Sequence, residues 1–344
     1  MKRAAIGLAA FIAAGTLLAA IAAIYVDHYL DTPLSIGEMA VPLKVAAGSS
    51  FRSVSDELAE RGVLERPRLL GVYARWTGKA GSIHAGDYLL EPGLTARQLL
   101  EKLTRGAVRL YAFTIVEGWN HWELLKALHA QPELESAMTQ QDWPSLLAEL
   151  GATTDHPEGL FLPETYHFPR GTTDRELLKQ AYQLMQATLE DHWAQRSQET
   201  PVKTPYEALI LASIIEKETA RTDERARIAG VFSRRLEKGM RLQTDPTVIY
   251  GIGPDFDGNL RRRDLQADTP YNTYTRGGLP PTPIAMPGRE AIHAALNPAD
   301  GEELYFVATG LGDGSHAFSR TKAEHDAAVA DYLRRLRQRR TQGN

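Results

Sequence analysis

The chain opens with an unbroken apolar run, residues 4–26, mostly Ala, Ile and Leu, closed by Asp27 and His28. As a helix this run would span roughly 34 Å at ~1.5 Å per residue, against a hydrocarbon core of about 30 Å. Lys2 and Arg3 stand before it. That bias predicts a cytoplasmic tip of residues 1–3, a transmembrane helix over 4–26 and a body that lies outside. Ala20-Ile21-Ala22 is similar to a signal-peptide cleavage site. The run exceeds the ~7–15-residue core of such peptides, so a retained anchor is the reading taken, and either reading exports the body.

After the run the pattern turns globular. Residues 27–44 hold Pro33, Gly37 and Pro42 with no sustained period, which predicts a tether leading into a first strand. A small α+β unit is expected over 45–110. Val54, Leu58 and Val63 can share a helical face after Ser53, and Leu69, Leu70, Val72, Tyr73 and Trp76 mark a second helix over 66–77. Residues 85–90 read as a turn into a short strand, and Thr95 as the cap of a helix carrying Leu99, Leu100 and Leu103. No catalytic cluster falls in this unit.

A larger mixed α+β domain is expected over 111–344. It begins with a strand at 112–116 and helices near 121–130 and 143–150. Residues 156–171, with Pro157, Gly159, Pro163, Pro169 and Gly171, read as a loop, and 173–197 as a long amphipathic helix. Residues 208–215 are apolar all round and run into Glu216-Lys217-Glu218-Thr219. A helix of that kind is normally buried. A basic helix follows over 223–238. The chain then becomes rich in turns as far as Pro287-Gly288, and a surface loop of that length implies function. Strands at 304–308 and 316–319 and a helix over 322–337 close the pattern.

Composition removes several classes of chemistry. There are no cysteines, hence no disulfide, thiolate zinc site or cysteine nucleophile. The formal net charge of −4 gives no reason to expect a nucleic-acid partner. His316 and His325 lack metal-ligand spacing, Ser213 sits in no GxSxG, and Gly251-Ile252-Gly253 lacks the rest of a nucleotide fingerprint. What remains is carboxylates and aromatics. Leu211, Ile214, Ile215 and Glu218 fall on one helical face, and Leu209, Ala212 and Glu216 on another. A carboxyl lifted from water favours its neutral form and can then donate a proton near neutral pH. The same pattern also suits a buried helix reaching the surface, its glutamates solvated or paired with Lys217 or Arg221. Gln243, Asp245, Thr247, Tyr250, Tyr271, Asn272, Thr273 and Tyr274 crowd the turn-rich stretch. Flat apolar faces with hydrogen-bonding groups around them suit a sugar; they equally suit the pinning of a long loop.

These residues carry a resemblance. The segment from Ala212 through Ser213-Ile214-Ile215-Glu216-Lys217-Glu218-Thr219 to Ala220 closely resembles the signature of the endolytic murein transglycosylases, the MltG or YceG-like family. So do Arg241-Leu242-Gln243-Thr244-Asp245-Pro246-Thr247-Val248-Ile249-Tyr250-Gly251, Tyr271-Asn272-Thr273-Tyr274, Gly278-Leu279-Pro280-Pro281 and Leu304-Tyr305-Phe306-Val307. Upstream, Glu158 through Pro163-Glu164-Thr165-Tyr166 matches the family's loop, although the family often has Asp where Glu164 stands. The likeness covers essentially the whole chain. It implies a LysM-like domain at 45–110 and a catalytic domain at 111–344. The implied reaction cleaves the β-1,4 bond between N-acetylmuramic acid and N-acetylglucosamine within peptidoglycan strands and leaves 1,6-anhydro-muramic ends. It implies no metal, nucleotide or other cofactor. It places the protein in the inner membrane with its N-terminus cytoplasmic and its catalytic domain periplasmic, with peptidoglycan synthases as candidate partners.

Lytic transglycosylases place one glutamate at a helix end, directly before a small hydroxyl residue. Glu218 precedes Thr219 in that way, whereas Glu216 precedes Lys217. The resemblance therefore makes Glu218 the catalytic acid/base. Glu216, Glu164, Gln243, Asp245, Thr247, Tyr250, Tyr271, Asn272 and Tyr274 become supporting or substrate-binding residues. Two other functions share much of this chemistry: a muramidase using water as nucleophile, and a non-catalytic glycan-binding scaffold.

Overall fold

The computed structural model describes residues 2–342; Met1, part of the expected cytoplasmic tip, lies outside them. The chain is mixed α+β with small two-stranded sheets. It divides into two compact units, one of residues up to Tyr111 with His167–Gly171, the other of Ala112–Tyr166 and Thr172 onward.

In the first unit α1 (Lys2–Asp31) is one uninterrupted helix, and Ile6–Asp31 is long and apolar enough to cross a membrane. It runs past the apolar run because Leu30 is buried in the unit's core together with Leu34, with Val26 and Tyr29 packed against it. Strands β1 (Val41–Val45) and β2 (Gly86–Leu90) pair antiparallel with Leu43 opposite Tyr88. Their period-two pattern buries Leu43, Val45, Tyr88 and Leu90 on one face. Helices α2 (Phe51–Glu60), α3 (Pro67–Trp76) and α4 (Ala96–Thr104) cover that face with Phe51, Leu58, Leu70, Leu99 and Leu103. Thr95 and Gln98 cap α4 reciprocally. Helix α2 starts before Ser53, capped by Ser50, and Val63 lies beyond its end. Gly62, at φ +73°, turns the chain back so that the amides of Val63 and Leu64 bond the Leu58 carbonyl. Val63 is thus buried by the capping turn rather than by a helical face.

Strand β3 (Leu110–Thr114), in which the chain passes from the first unit to the second, begins and ends two residues before the expected strand, and α5 (His121–His129) and α6 (Trp143–Glu149) follow in the second unit. The expected loop at 156–171 contains β4 (Thr165–Pro169), which pairs with β3. Next come α7 (Asp174–Ala194), α8 (Pro205–Glu218) and α9 (Thr222–Glu237). Thr204 caps α8, Pro205 starts it, and every residue from 208 to 215 is buried. The turn-rich stretch is not surface loop throughout. It holds α10 (Asp245–Ile252) and α11 (Arg262–Gln266), and then a buried segment at 282–288. That segment survives burial because its backbone finds partners: the Ile284 amide donates to the Ser213 hydroxyl at 2.9 Å and the Met286 amide to the Trp119 carbonyl at 2.6 Å. Helix α12 (Arg289–Leu296), with Ala291, Ile292, Ala294, Ala295 and Leu296 buried, packs against α8, which also touches α7, α9 and α10. The hairpin of β5 (Tyr305–Ala308) and β6 (His316–Ser319) and the helix α13 (Lys322–Gln342) complete the unit.

Candidate active site

Helix α8 ends at Glu218 because Thr219 adopts an extended conformation there. The Glu218 carboxylate accepts a hydrogen bond from the hydroxyl of Thr244, the residue that opens α10. Glu218 as a whole residue is partly exposed, yet its carboxyl is enclosed by protein. Lost hydration lifts its pKa to about 7 from the ordinary 4.5, against the pull of the Thr244 hydrogen bond. The nearby negative charge of Asp245 pushes it up as well, and His316 draws it down.

Thr244 is itself held by buried hydroxyls. Its amide donates to the Thr273 hydroxyl at 3.1 Å, and its carbonyl accepts from Thr247 at 2.8 Å. The Thr247 and Thr273 hydroxyls lie 2.9 Å apart. The turn before Thr244 is strained: Gln243 has φ +53°, the left-handed region, the one non-glycine residue there among the described residues. Two contacts hold that turn. The Gln243 amide donates to the Thr273 carbonyl at 3.2 Å, and the buried Arg235 donates to the carbonyls of Arg241 and Leu242 at 3.0 and 2.8 Å. Exposed Asp245 accepts a 2.5 Å hydrogen bond from Tyr274, whose own pKa is raised by burial and then by Asp245. Glu218, Gln243, Asp245, Thr247 and Tyr274 therefore belong to one constellation.

Other expected residues sit in neighbouring networks. Tyr250 donates to Glu158 at 2.9 Å, and its ring lies 4.9 Å from that of Tyr271 and 5.4 Å from that of Trp122. Tyr271 and Thr282 share a 2.9 Å hydrogen bond. Asn272 is 1% exposed, and its amide group donates to the carbonyls of Asp264, Leu265 and Ala267, so it ties the loop together from inside. Glu216 bonds Arg225 at 3.0 Å and the Gly288 amide at 3.0 Å; burial pushes its pKa up, and these two partners pull it down. Glu164 is exposed beside β4, where its carboxylate accepts from the amide of Thr165 at 3.0 Å.

Sequence reasoning passed over Thr244, His316 and Glu158. Thr244 lies within the 241–251 motif, but nothing in its spacing marks it as the partner of a glutamate distant along the chain. His316 stands in β6 and is oriented by Glu224 at 2.7 Å, a pairing that only the fold creates. Glu158 is fully buried and accepts from His121 at 2.7 Å as well as from Tyr250. Beside α10 an open groove of about 610 Å³ is lined by Trp122, Lys217, Pro246, Ile249, Tyr250 and Phe256, next in sequence to both Glu218 and Asp245.

The arrangement offers a carboxyl group able to be neutral near pH 7, a hydroxyl bonded to it, and an aromatic-lined groove alongside. Comparison with known proteins gives a consistent answer. An endolytic murein transglycosylase of Bacillus subtilis is 32% identical over 311 residues, spanning 85% of this chain and 85% of the relative. One from Streptococcus pneumoniae is 26% identical over 342 residues, spanning 89% of this chain but only 61% of that longer protein. The crystal structure of a yceG-like protein from Listeria monocytogenes superposes with a TM-score of 0.54 at 29% identity, covering 85% of this chain and 99% of the other. The family model described as YceG-like matches residues 43–331, and the chain belongs to that family.

Proposed function

We propose that this chain is a membrane-anchored peptidoglycan lytic transglycosylase that cuts within glycan strands, with Glu218 as its acid/base. The observation that carries the reading is the Glu218 carboxyl, raised to about 7 at the end of a buried helix and bonded to Thr244. In its neutral form it donates its proton to the oxygen linking N-acetylmuramic acid to N-acetylglucosamine, and the C1–O bond breaks. The carboxylate so formed takes the proton of the sugar's own C6 hydroxyl as that oxygen bonds to C1. The product is a 1,6-anhydro-muramic end, and Glu218 is again protonated. Because the nucleophile is tethered to the reacting sugar, the step has the advantage of an intramolecular reaction. Gln243, Asp245 and Tyr274 would hold the sugar next to the acid, with Tyr271 and Trp122 as stacking surfaces. Tyr250 lines the groove, Thr247 and Asn272 support it from behind, Glu216 steadies the end of α8, and Glu164 acts further out along a strand.

The bilayer enters through residues 4–26, with the N-terminus cytoplasmic and the body periplasmic, attached to the inner membrane. The 45–110 region is assigned to glycan binding without chemistry, the 111–344 region to catalysis, and synthases that make the strands are the natural partners.

Asp245 favours a second reading. A carboxylate close enough to raise the pKa of Glu218 is what a muramidase would use to activate water. Digestion of purified glycan strands by the full chain in detergent, with products read by mass spectrometry, decides: anhydro ends are lighter by one water. Reducing ends would establish the muramidase. Strand binding without any cleavage, unchanged in Glu218→Gln, would leave only the scaffold.

A further inference from the structure

Helix α3 carries apolar side chains on two faces. Leu70 and Ala74 enter the core, whereas Leu69, Val72 and Trp76, spaced by three and four residues, share another face. Val72 is 55% and Trp76 82% exposed. This second face lines an apolar groove with Ala22, Ile24 and Val26 of α1. Those are the closing residues of the run that reads as membrane-spanning.

The level of α3 along α1 is fixed. Helix α1 is continuous to Asp31, and Leu30, 1% exposed, is built into the same core that holds Leu70 and Ala74. Leu30 stands only about 6 Å beyond Val26 along the helix. Whatever depth residues 22–26 take in a bilayer, the outer face of α3 shares it. Since the run of roughly 34 Å slightly exceeds a hydrocarbon core of about 30 Å, that depth is the boundary between acyl chains and headgroups.

The charges agree. Helix α3 has no acidic residue and carries Arg68 and Arg75. The Arg66 guanidinium lies 5.2 Å over the ring of Tyr25 on α1. On α1, Asp27 and Asp31 are engaged by Arg97 at 2.6 and 2.7 Å. Glu65 stands beside Arg66, and α2, packed against α3, carries Asp56, Glu57 and Glu60, of which Asp56 pairs with Arg52 and Glu57 with Arg61. Tryptophan favours the membrane interface, and arginines extend from it to phosphate.

We propose that α3 is a membrane-surface helix. Leu69, Val72 and Trp76 enter the boundary of the bilayer, Arg66, Arg68 and Arg75 meet anionic headgroup phosphates, and the first unit lies on the membrane instead of hanging from a free stalk. This rests on the reading of α1 as a spanning anchor.

The chain has no cysteine, so single cysteines can carry an environment-sensitive fluorophore without background. The full chain, reconstituted into phosphatidylethanolamine–phosphatidylglycerol vesicles, is labelled at Val72→Cys, Gly15→Cys or Arg105→Cys. Position 105 caps the end of α4 remote from its contacts with α1. Nitroxide lipids quench either near the carbonyls or near the acyl ends. The label at 72 should emit to the blue and lose most of its intensity to the shallow quencher. The label at 15 should answer to the deep one, and that at 105 to neither. Charge reversal in Arg68→Glu/Arg75→Glu should weaken the quenching at 72. Deep quenching at 15 with a water-exposed label at 72 overturns the proposal and leaves the anchor standing. A blue-shifted but unquenched label at 72 means that a second copy of the chain covers the face, and also overturns it. Absence of deep quenching at 15 defeats the anchor and this inference together.

Discussion

Helices α1 and α8 are both apolar on every side, and they end in opposite surroundings. Along α1 the side chains from Ile6 to Ile24 are exposed to whatever surrounds the protein, and cover begins only near Leu30. Along α8, residues 208–215 are sealed by α7, α9, α10 and α12. Periodicity cannot separate the two, since neither has a polar stripe. Length can: 30 residues reach about 45 Å, while 14 reach about 21 Å, too short for a hydrocarbon core of ~30 Å. The contrast extends to the charged ends. Asp27 and Asp31, where α1 leaves its apolar run, are exposed and answered by Arg97. Glu216 and Glu218 end a helix whose neighbours exclude water, so their protonated forms gain. A fully apolar helix is thus able to span a bilayer when it is long, and when it is short and covered it perturbs the carboxyls at its end.

The largest effect expected from this contrast is on catalysis. Glu218→Gln keeps the shape and removes proton transfer. Turnover on glycan strands should fall to the upper end of the ~10²–10⁴-fold range for a positioned acid–base group, because in the proposed reaction one group would serve both steps. Strand binding and circular dichroism should not change. If Glu218→Gln cuts normally while Glu216→Gln is dead, the roles at the end of α8 are exchanged.

Stability separates the helices next. Leu211 is fully buried, so Leu211→Ala should cost ~2–5 kcal/mol. Leu17 is 62% exposed in α1, and Leu17→Ala should stay within about 0.5 kcal/mol. Denaturant titration of both variants in detergent reads the difference, and an equal loss would mean that α1 is part of a folded core. A smaller penalty of roughly 1–3 kcal/mol is expected for Glu216→Gln, which leaves Arg225 buried with the half-exposed Glu117 at 3.5 Å as its remaining carboxylate. A lowered melting temperature with activity per folded molecule retained would separate this support from chemistry.

What could be read in advance followed the range of the interactions. α3, α4, α8 and α9 carry their own punctuation, from Thr95 with Gln98 to Pro205 and Gly239, so their existence is local information. The strand at β4 was hidden because Pro163, Pro169 and Gly171 around Thr165–Pro169 are loop residues, and only pairing with β3 makes those residues a strand. The segment at 282–288 looked like exposed turn, since its burial depends on Ser213 and Trp119, both distant along the chain. The same holds for the candidate site. Glu218 stood out because the apolar face leading to it is local, whereas Thr244, His316 and the Glu158 network come to it or to its surroundings only through packing. Asn272 was legible as a hydrogen-bonding group but not as an inward-facing one, because nothing in the sequence tells which carbonyls it meets.

The finest test of the comparison is how stability responds to pH. The Glu218 pKa rises from 4.5 to about 7 on folding, so between those values the folded chain binds more protons than the unfolded one. Stability must then fall as pH climbs through that window: the contribution is complete below about 4.5 and lost above about 7. Glu218→Gln has no proton to lose and should not follow this slope. The melting temperature of wild type relative to Glu218→Gln should therefore drop from pH 5 to pH 8, with the variant the more stable at the alkaline end. Glu216 is also pushed up by burial, but it is present in both proteins and cancels in the difference. The acid form needed for the first proton transfer disappears over the same range, so turnover by wild type should decline above about pH 7. A melting difference that is flat from pH 5 to 8 would show the Glu218 carboxyl to be as well hydrated as the aspartates that close α1, and the enclosure of the α8 terminus, which sets these two helices apart, would be refuted.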